Sequence, residues 1–239
     1  MTKDDYVIVC GDFGGVWCNR KNGKKNIDDF DLNWLEDRPF TTLFVDGNHE
    51  NFDELYQYPV KEWKGGKVHE IRSSVLHLMR GEIFEIAGKK IFAFGGARSY
   101  DIQDGIIEWD EKGAWKESAR EWSKEGKIFR VNHYSWWEQE LPSQKEMENA
   151  WNNLKTHENQ VDYIVTHCCP NNVLFEVAMK KYNDIRMADL YKEKNVLTDL
   201  LDLINDKIKY KKWFFGHHHE DMKIGDKHIL LYHQIIRIA

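Results

Sequence analysis

Short apolar runs alternate along the chain with abrupt polar or glycine-rich breaks. Tyr6 to Cys10 stops at Gly11, Thr42 to Val45 at Asp46-Gly47, and Lys90 to Phe94 at Gly95-Gly96. Tyr163 to Val165 gives way to Thr166-His167, and Lys212 to Phe215 to Gly216. Runs of this length bounded by turn formers predict buried strands. Between them, Ser143 to Thr156 and Val196 to Lys209 carry helical periodicity, the second with Leu197, Leu200, Leu201 and Ile204 on one face. Strands alternating with helices predict an α/β fold. Met222 to Leu231 reads as a hairpin turned at Gly225-Asp226, with a last strand running on to Ile238. No repeat, low-complexity stretch or dividing linker interrupts residues 1–239, so a single domain is expected.

Each predicted strand delivers polar residues at its carboxyl end, where α/β folds gather ligands. Asp12, Asn48, His167, His217 and His219 all fall there. A carboxylate, an amide oxygen and imidazoles together suit divalent manganese, iron or zinc. Glycine beside these groups lets the backbone turn sharply and approach an ion or a phosphate. His217 and His219 would share a face on a strand, whereas on a loop they reach two neighbouring ions and His218 points away. With Asp12 spanning two ions about 3.5–4 Å apart, a bridging water would ionise near neutral pH and the hydroxide would be the nucleophile. His49 is then the candidate proton donor to the leaving oxygen, its tautomer fixed by Glu50. Arg98 is a candidate for holding the substrate phosphate through its planar fork, with a surface ion pair as the alternative.

The charge narrows the partners. Forty acidic residues against 34 basic give a net charge of −6, which disfavours nucleic acid. No apolar run is long enough to cross a bilayer, and no secretory signal opens the chain. Four irregularly spaced cysteines make no disulfide framework. A cytoplasmic protein is expected, with Cys168 and Cys169 as small buried hydrophobes. The tryptophans at 109, 115, 122, 136 and 137 form either core or an aromatic wall. The basic stretch from Asn19 to Lys25 reads as a solvated loop.

Taken in order, Gly11-Asp12, Gly47-Asn48-His49-Glu50, Thr166-His167 and Gly216-His217-His218-His219 resemble the motifs of the calcineurin-like metallophosphoesterase superfamily. Gly95-Gly96-Ala97 and Ser135-Trp136-Trp137-Glu138 resemble a bacterial-type subgroup. The resemblance runs from Tyr6 onward. It implies a two-sheet β-sandwich flanked by helices, a centre of two metal ions at the strand ends, and hydrolysis of a phosphoric ester. Substrates implied by it are a phosphorylated small molecule, a nucleotide or a phosphoprotein.

The chain departs from that family in two places. Members usually carry an earlier strand ending in Asp-x-His, which holds the first metal, and nothing ahead of Asp12 supplies it. Either the chain starts at an internal methionine, so that the domain is N-terminally truncated, or half of the centre is lost. The first reading is preferred because the missing strand belongs inside a sheet. Asp12, Asn48, His167 and His217 then make one tight metal site, while Asp12 and His219 alone make a weak one. A catalytically impaired homologue that binds a phosphorylated ligand or a protein partner is the alternative function. The second departure follows Asp12, where Phe-Gly-Gly-Val-Trp replaces the Asp-Arg-Gly of Ser/Thr protein phosphatases, removing the arginine those enzymes turn to phosphate.

Overall fold

The computed structural model describes residues 1–18, 27–190 and 193–238, so the basic stretch 19–25 lies outside the described residues. In chain order the elements are β1 (Tyr6–Cys10), α1 (Ile27–Glu36), β2 (Thr41–Val45), α2 (Phe52–Leu55), β3 (Val60–Trp63), β4 (Gly66–Arg72), β5 (Val75–Leu78), β6 (Glu82–Ile86) and β7 (Lys89–Phe94). They continue with β8 (Gly105–Ile107), α3 (Trp115–Lys124), β9 (Phe129–Val131), a single 3₁₀ turn (Glu138–Glu140), α4 (Gln144–Thr156), β10 (Tyr163–Thr166) and α5 (Asn171–Tyr182). The last are α6 (Ile185–Leu190), α7 (Val196–Lys207), β11 (Lys212–Phe215), β12 (Met222–Ile224) and β13 (His228–Leu230).

Two mixed sheets dominate. One runs β1-β2-β5-β4-β3 and the other β12-β13-β11-β10-β7-β6, with β8 and β9 as a separate pair. β1, β2 and β5 are parallel, as are β7, β10, β11 and β13. Parallel pairing explains why their carboxyl ends lie side by side along each sheet.

The period-2 alternation of side chains sorts the strands into layers. Leu43, Val45, Val68, Leu76 and Leu78 of the first sheet share one core with Phe84, Ile86, Ile91, Ala93, Val165 and Phe214 of the second. Their neighbours point the other way. Phe92, Phe94, Ile164, Trp213 and Phe215 pack under α4, α5 and α7, against Leu154, Val173, Leu174, Leu201 and Ile204. On the opposite outer face Phe44 and Val75 meet Leu32 of α1, Phe52 and Leu55 of α2, and Trp137. The layers are therefore helix, sheet, sheet, helix, an α/β arrangement of two facing sheets.

The two expected helices form almost as read, because both begin with side-chain caps. Ser143 accepts from the Glu146 N–H while the Glu146 carboxylate takes the Ser143 N–H, and Asn195 caps α7 through the Leu197 and Thr198 N–H groups. The hairpin at Gly225 also forms, between antiparallel β12 and β13. The last strand does not reach Ile238, ending instead at Leu230. Beyond it, the Asp221 carboxylate accepts from the N–H groups of Tyr232, His233 and Gln234, which curls the backbone away from a ladder. No helix among the described residues is long and apolar enough to cross a membrane.

Candidate metal centre

Asp12, Asn48 and His167 come together from three strand ends. His167 follows β10 and is 2% exposed. Its Nδ1 lies 2.7 Å from the carbonyl oxygen of Cys10, at the end of β1, so Nδ1 carries a proton and donates it. Its Nε2 faces two acceptors, Asp12 Oδ2 and Asn48 Oδ1, each 3.3 Å away. With Nδ1 protonated, a neutral ring presents a lone pair at Nε2, so three electron-rich atoms confront one another. That arrangement is stable only with a positive charge among them, either a second proton on His167 or a cation.

Glycines make this convergence possible. A Cβ on Gly11 would lie 2.2 Å from His167 Nδ1, and one on Gly47 would lie 2.0 Å from Asp12 Oδ1. Asp12 itself has a φ of 52°, and His217 and His219 have φ values of 70° and 52°. Left-handed backbone at non-glycine residues costs roughly 1–3 kcal/mol each and gathers at functional sites. Three of the five predicted ligands carry it.

The loop after Asp12 is fastened at two points. Phe13 stacks on Phe44 with ring centroids 4.1 Å apart. The Glu50 carboxylate, expected beside the His49 ring, instead accepts from the N–H groups of Phe13 at 2.7 Å and Gly14 at 3.2 Å. Glu50 is 1% exposed, and burial pushes its pKa up to about 8. The His49 ring lies against the Asn48 amide, with Nε2 3.3 Å from Asn48 Nδ2, and its backbone N–H donates to Asp12 Oδ1 at 2.9 Å. Partial burial lowers its pKa.

Asp12 and His167 shift each other in opposite directions. Burial alone would raise the Asp12 pKa, yet the hydrogen bond and charge of His167 hold it well below the usual carboxylate range. Burial likewise favours neutral His167, but the hydrogen bond and charge of Asp12 prevail and raise its pKa.

The three consecutive histidines diverge. His217 joins the cluster, its ring 5.0 Å from that of His167 and stacked on Tyr100 at 5.3 Å. Its Nε2 is buried with no hydrogen-bond partner among the described residues, and the nearest carboxylate oxygen, Glu193 Oε1, is 3.9 Å away. Burial holds the His217 pKa well below the ordinary value. His218 turns into the core between Phe215 and Cys169, and its pKa falls to about 3 through burial. His219 is exposed and stacks on Tyr232 at 5.0 Å.

The residues present fit a divalent cation. Ligand atoms about 2.0–2.2 Å from an ion stand roughly 3–3.5 Å from one another, as His167 Nε2 does from both Asp12 Oδ2 and Asn48 Oδ1. His217 adds an orphaned buried nitrogen beside them. Among the described residues no three His, Cys, Asp or Glu side chains form a ready ligand cluster by themselves. The third atom at His167 Nε2 is the amide oxygen of Asn48.

Several supporting residues carried no sequence signal. Asn48 Nδ2 donates to Ser99 Oγ at 3.1 Å, and Ser99 Oγ donates to Glu140 Oε1 at 2.9 Å. Beneath the Asn48 loop, fully buried Asp46 accepts from Arg80 Nε at 2.9 Å, from Arg80 Nη2, and from His77 Nε2 at 3.0 Å. His69 extends this chain, with its Nδ1 2.9 Å from His77 Nδ1.

No family model and no curated protein matches the chain.

The remaining candidates disperse. Arg98 is exposed and lines a groove of about 810 Å³ together with Tyr56, Trp136, Glu138, Glu140 and Asn195. The tryptophans make no common wall. Trp137 is core and donates to Asp53 at 2.7 Å, Trp115 packs on Tyr134, Trp122 on Phe129, and Trp109 is exposed. Cys168 and Cys169 are buried in the core, as expected of small hydrophobes.

Proposed function

We propose that this chain is a metal-dependent phosphoric ester hydrolase of the calcineurin-like metallophosphoesterase type. The observation that carries the reading is the meeting of Asp12 Oδ2, Asn48 Oδ1 and His167 Nε2 with the His167 Nδ1 proton already committed to Cys10. Asp12, Asn48, His167 and His217 would hold manganese, iron or zinc. Such an ion supplies Lewis acidity toward a phosphoryl oxygen and a water nucleophile at neutral pH.

The protein's own groups have separate tasks. Asp12, held by the His49 N–H, keeps its carboxylate ionised and aimed at the centre. His49, partly exposed beside Asn48, is positioned to give a proton to the leaving oxygen of the ester. Arg98 lines the groove with its charge acting on Glu193, and would meet a phosphorylated substrate there. A cytoplasmic setting agrees with the four cysteines, none of which is in a disulfide.

The exposure of His219 favours a second reading. With His219 stacked on Tyr232, a second ion has one protein ligand fewer, which favours a binding protein for a phosphorylated ligand over a two-ion enzyme. Hydrolysis of an aryl phosphate with added Mn²⁺ separates the two. The enzyme reading expects turnover that falls by about 100-fold or more in His49→Ala and is lost in Asp12→Asn. A protein that binds Mn²⁺ yet turns over neither phosphomonoesters nor phosphodiesters is the binding homologue.

A further inference from the structure

We propose that Ser99 and Glu140 are positioning residues that hold the Asn48 amide with its oxygen toward His167 and Asp12. The proposal rests on the cation site formed by those three side chains. An asparagine amide is nearly symmetric in shape, so packing alone does not decide which end faces a neighbour. Turned over, Asn48 would present its NH₂ to the centre and stop being a ligand.

The hydrogen bonds have a direction. Ser99 offers two donors, and both go to the same carboxylate: its hydroxyl to Glu140 Oε1 at 2.9 Å and its backbone N–H to Glu140 Oε2 at 3.0 Å. Where Glu140 is ionised, the Ser99 hydroxyl proton is spent on it and Ser99 Oγ can only accept from Asn48, as it does from Nδ2 at 3.1 Å. Burial pushes the Glu140 pKa up to about 8, so this direction is fixed most firmly at alkaline pH. The amide nitrogen also lies 3.3 Å from His49 Nε2, which agrees with the same orientation. Asn48, Ser99 and Glu140 are 3%, 2% and 2% exposed, so water does not compete for these bonds.

The backbone is shaped to bring the partners together. Ser99 follows β7 after Gly95-Gly96, and Glu140 closes the 3₁₀ turn before α4. Gly96 has a φ of 91°, and a Cβ there would lie 2.7 Å from the Glu140 carbonyl oxygen. Burying a carboxyl that has a serine and not a cation as its hydrogen-bonded partner costs stability. Orientation of a ligand is a return for that cost, since groups that orient metal ligands commonly control affinity by about 10–100-fold.

Calorimetric titration of Mn²⁺ into wild type, Ser99→Ala, Ser99→Thr, Glu140→Gln and Asn48→Ala tests this, with thermal melts showing that each variant is folded. Ser99→Ala and Glu140→Gln are expected to weaken Mn²⁺ binding by about 10–100-fold, while Ser99→Thr, which keeps the hydroxyl, stays close to wild type. Wild-type affinity in both Ser99→Ala and Glu140→Gln, with binding lost in Asn48→Ala, overturns the positioning role and leaves the cation site standing. Failure of wild type to bind Mn²⁺ overturns both. A metal-free readout stands beside these: the Asn48 side-chain NH₂ resonances, identified by their loss in Asn48→Ala, should exchange slowly with solvent in wild type. Fast exchange there also overturns the proposal.

Discussion

The carboxylate of Asp12 and the imidazole of His167 face each other at 3.3 Å, and the pair joins the end of β1 in one sheet to the end of β10 in the other. The same contact thus couples the candidate centre to the packing of the two sheets.

Stability of the metal-free protein should record this pair. His167 is raised above its ordinary 6.5, so its contribution is complete below that pH and is lost as pH climbs through the folded value. Asp12 is depressed below 3.8, so its contribution is present above that pH and is lost on strong acidification. The pair therefore helps most between about pH 4 and 6.5. Urea denaturation in chelator should show the gap between wild type and Asp12→Asn widest near pH 5.5 and narrower at pH 8.5. A gap that grows toward alkaline pH contradicts the assignment.

Arg80 compensates a carboxylate that has no access to water. Replacing it with methionine leaves buried Asp46 with His77 as its remaining side-chain partner, at a cost of about 3–5 kcal/mol in urea unfolding. Adding Asp46→Asn to Arg80→Met should recover part of that loss. A single variant within about 1 kcal/mol of wild type would remove the network from the account.

Gly47 and Gly88 separate crowding at the site from backbone strain elsewhere. A Cβ at Gly47 would strike Asp12 Oδ1, whereas Gly88, with a φ of 68°, has nothing within 4 Å. Gly47→Ala should weaken Mn²⁺ binding by about tenfold or more. Gly88→Ala should cost about 1–2 kcal/mol of stability and leave Mn²⁺ binding unchanged. Calorimetric titration and thermal melts on both variants check the contrast, and equal Mn²⁺ affinity in the two would contradict it.

The frame of the site was legible because its signals are local. Strands β1 and β11 form over the residues read from the sequence, and the motif residues Asp12, Asn48 and His167 fall at strand ends as expected. Their partners were not legible, because those contacts are made between distant segments. Ser99 meets Glu140 across 41 residues, and Asp46 meets Arg80 across 34. Glu50 looked like a partner of the adjacent His49, but it reaches 37 residues back to Phe13. The stretch after Leu230 kept an apolar, strand-like composition, and Asp221 overrode it by capturing three backbone N–H groups. His217 and His219 read as reaching two neighbouring ions from one loop; His217 joins the cluster at His167, while His219 stacks on Tyr232.

The most direct test is anomalous diffraction at the manganese edge from crystals grown with Mn²⁺. One strong peak is expected within bonding distance of Asp12 Oδ2, Asn48 Oδ1 and His167 Nε2, with any second peak weak. No peak at those three atoms, or two peaks of equal strength per chain, would contradict that expectation.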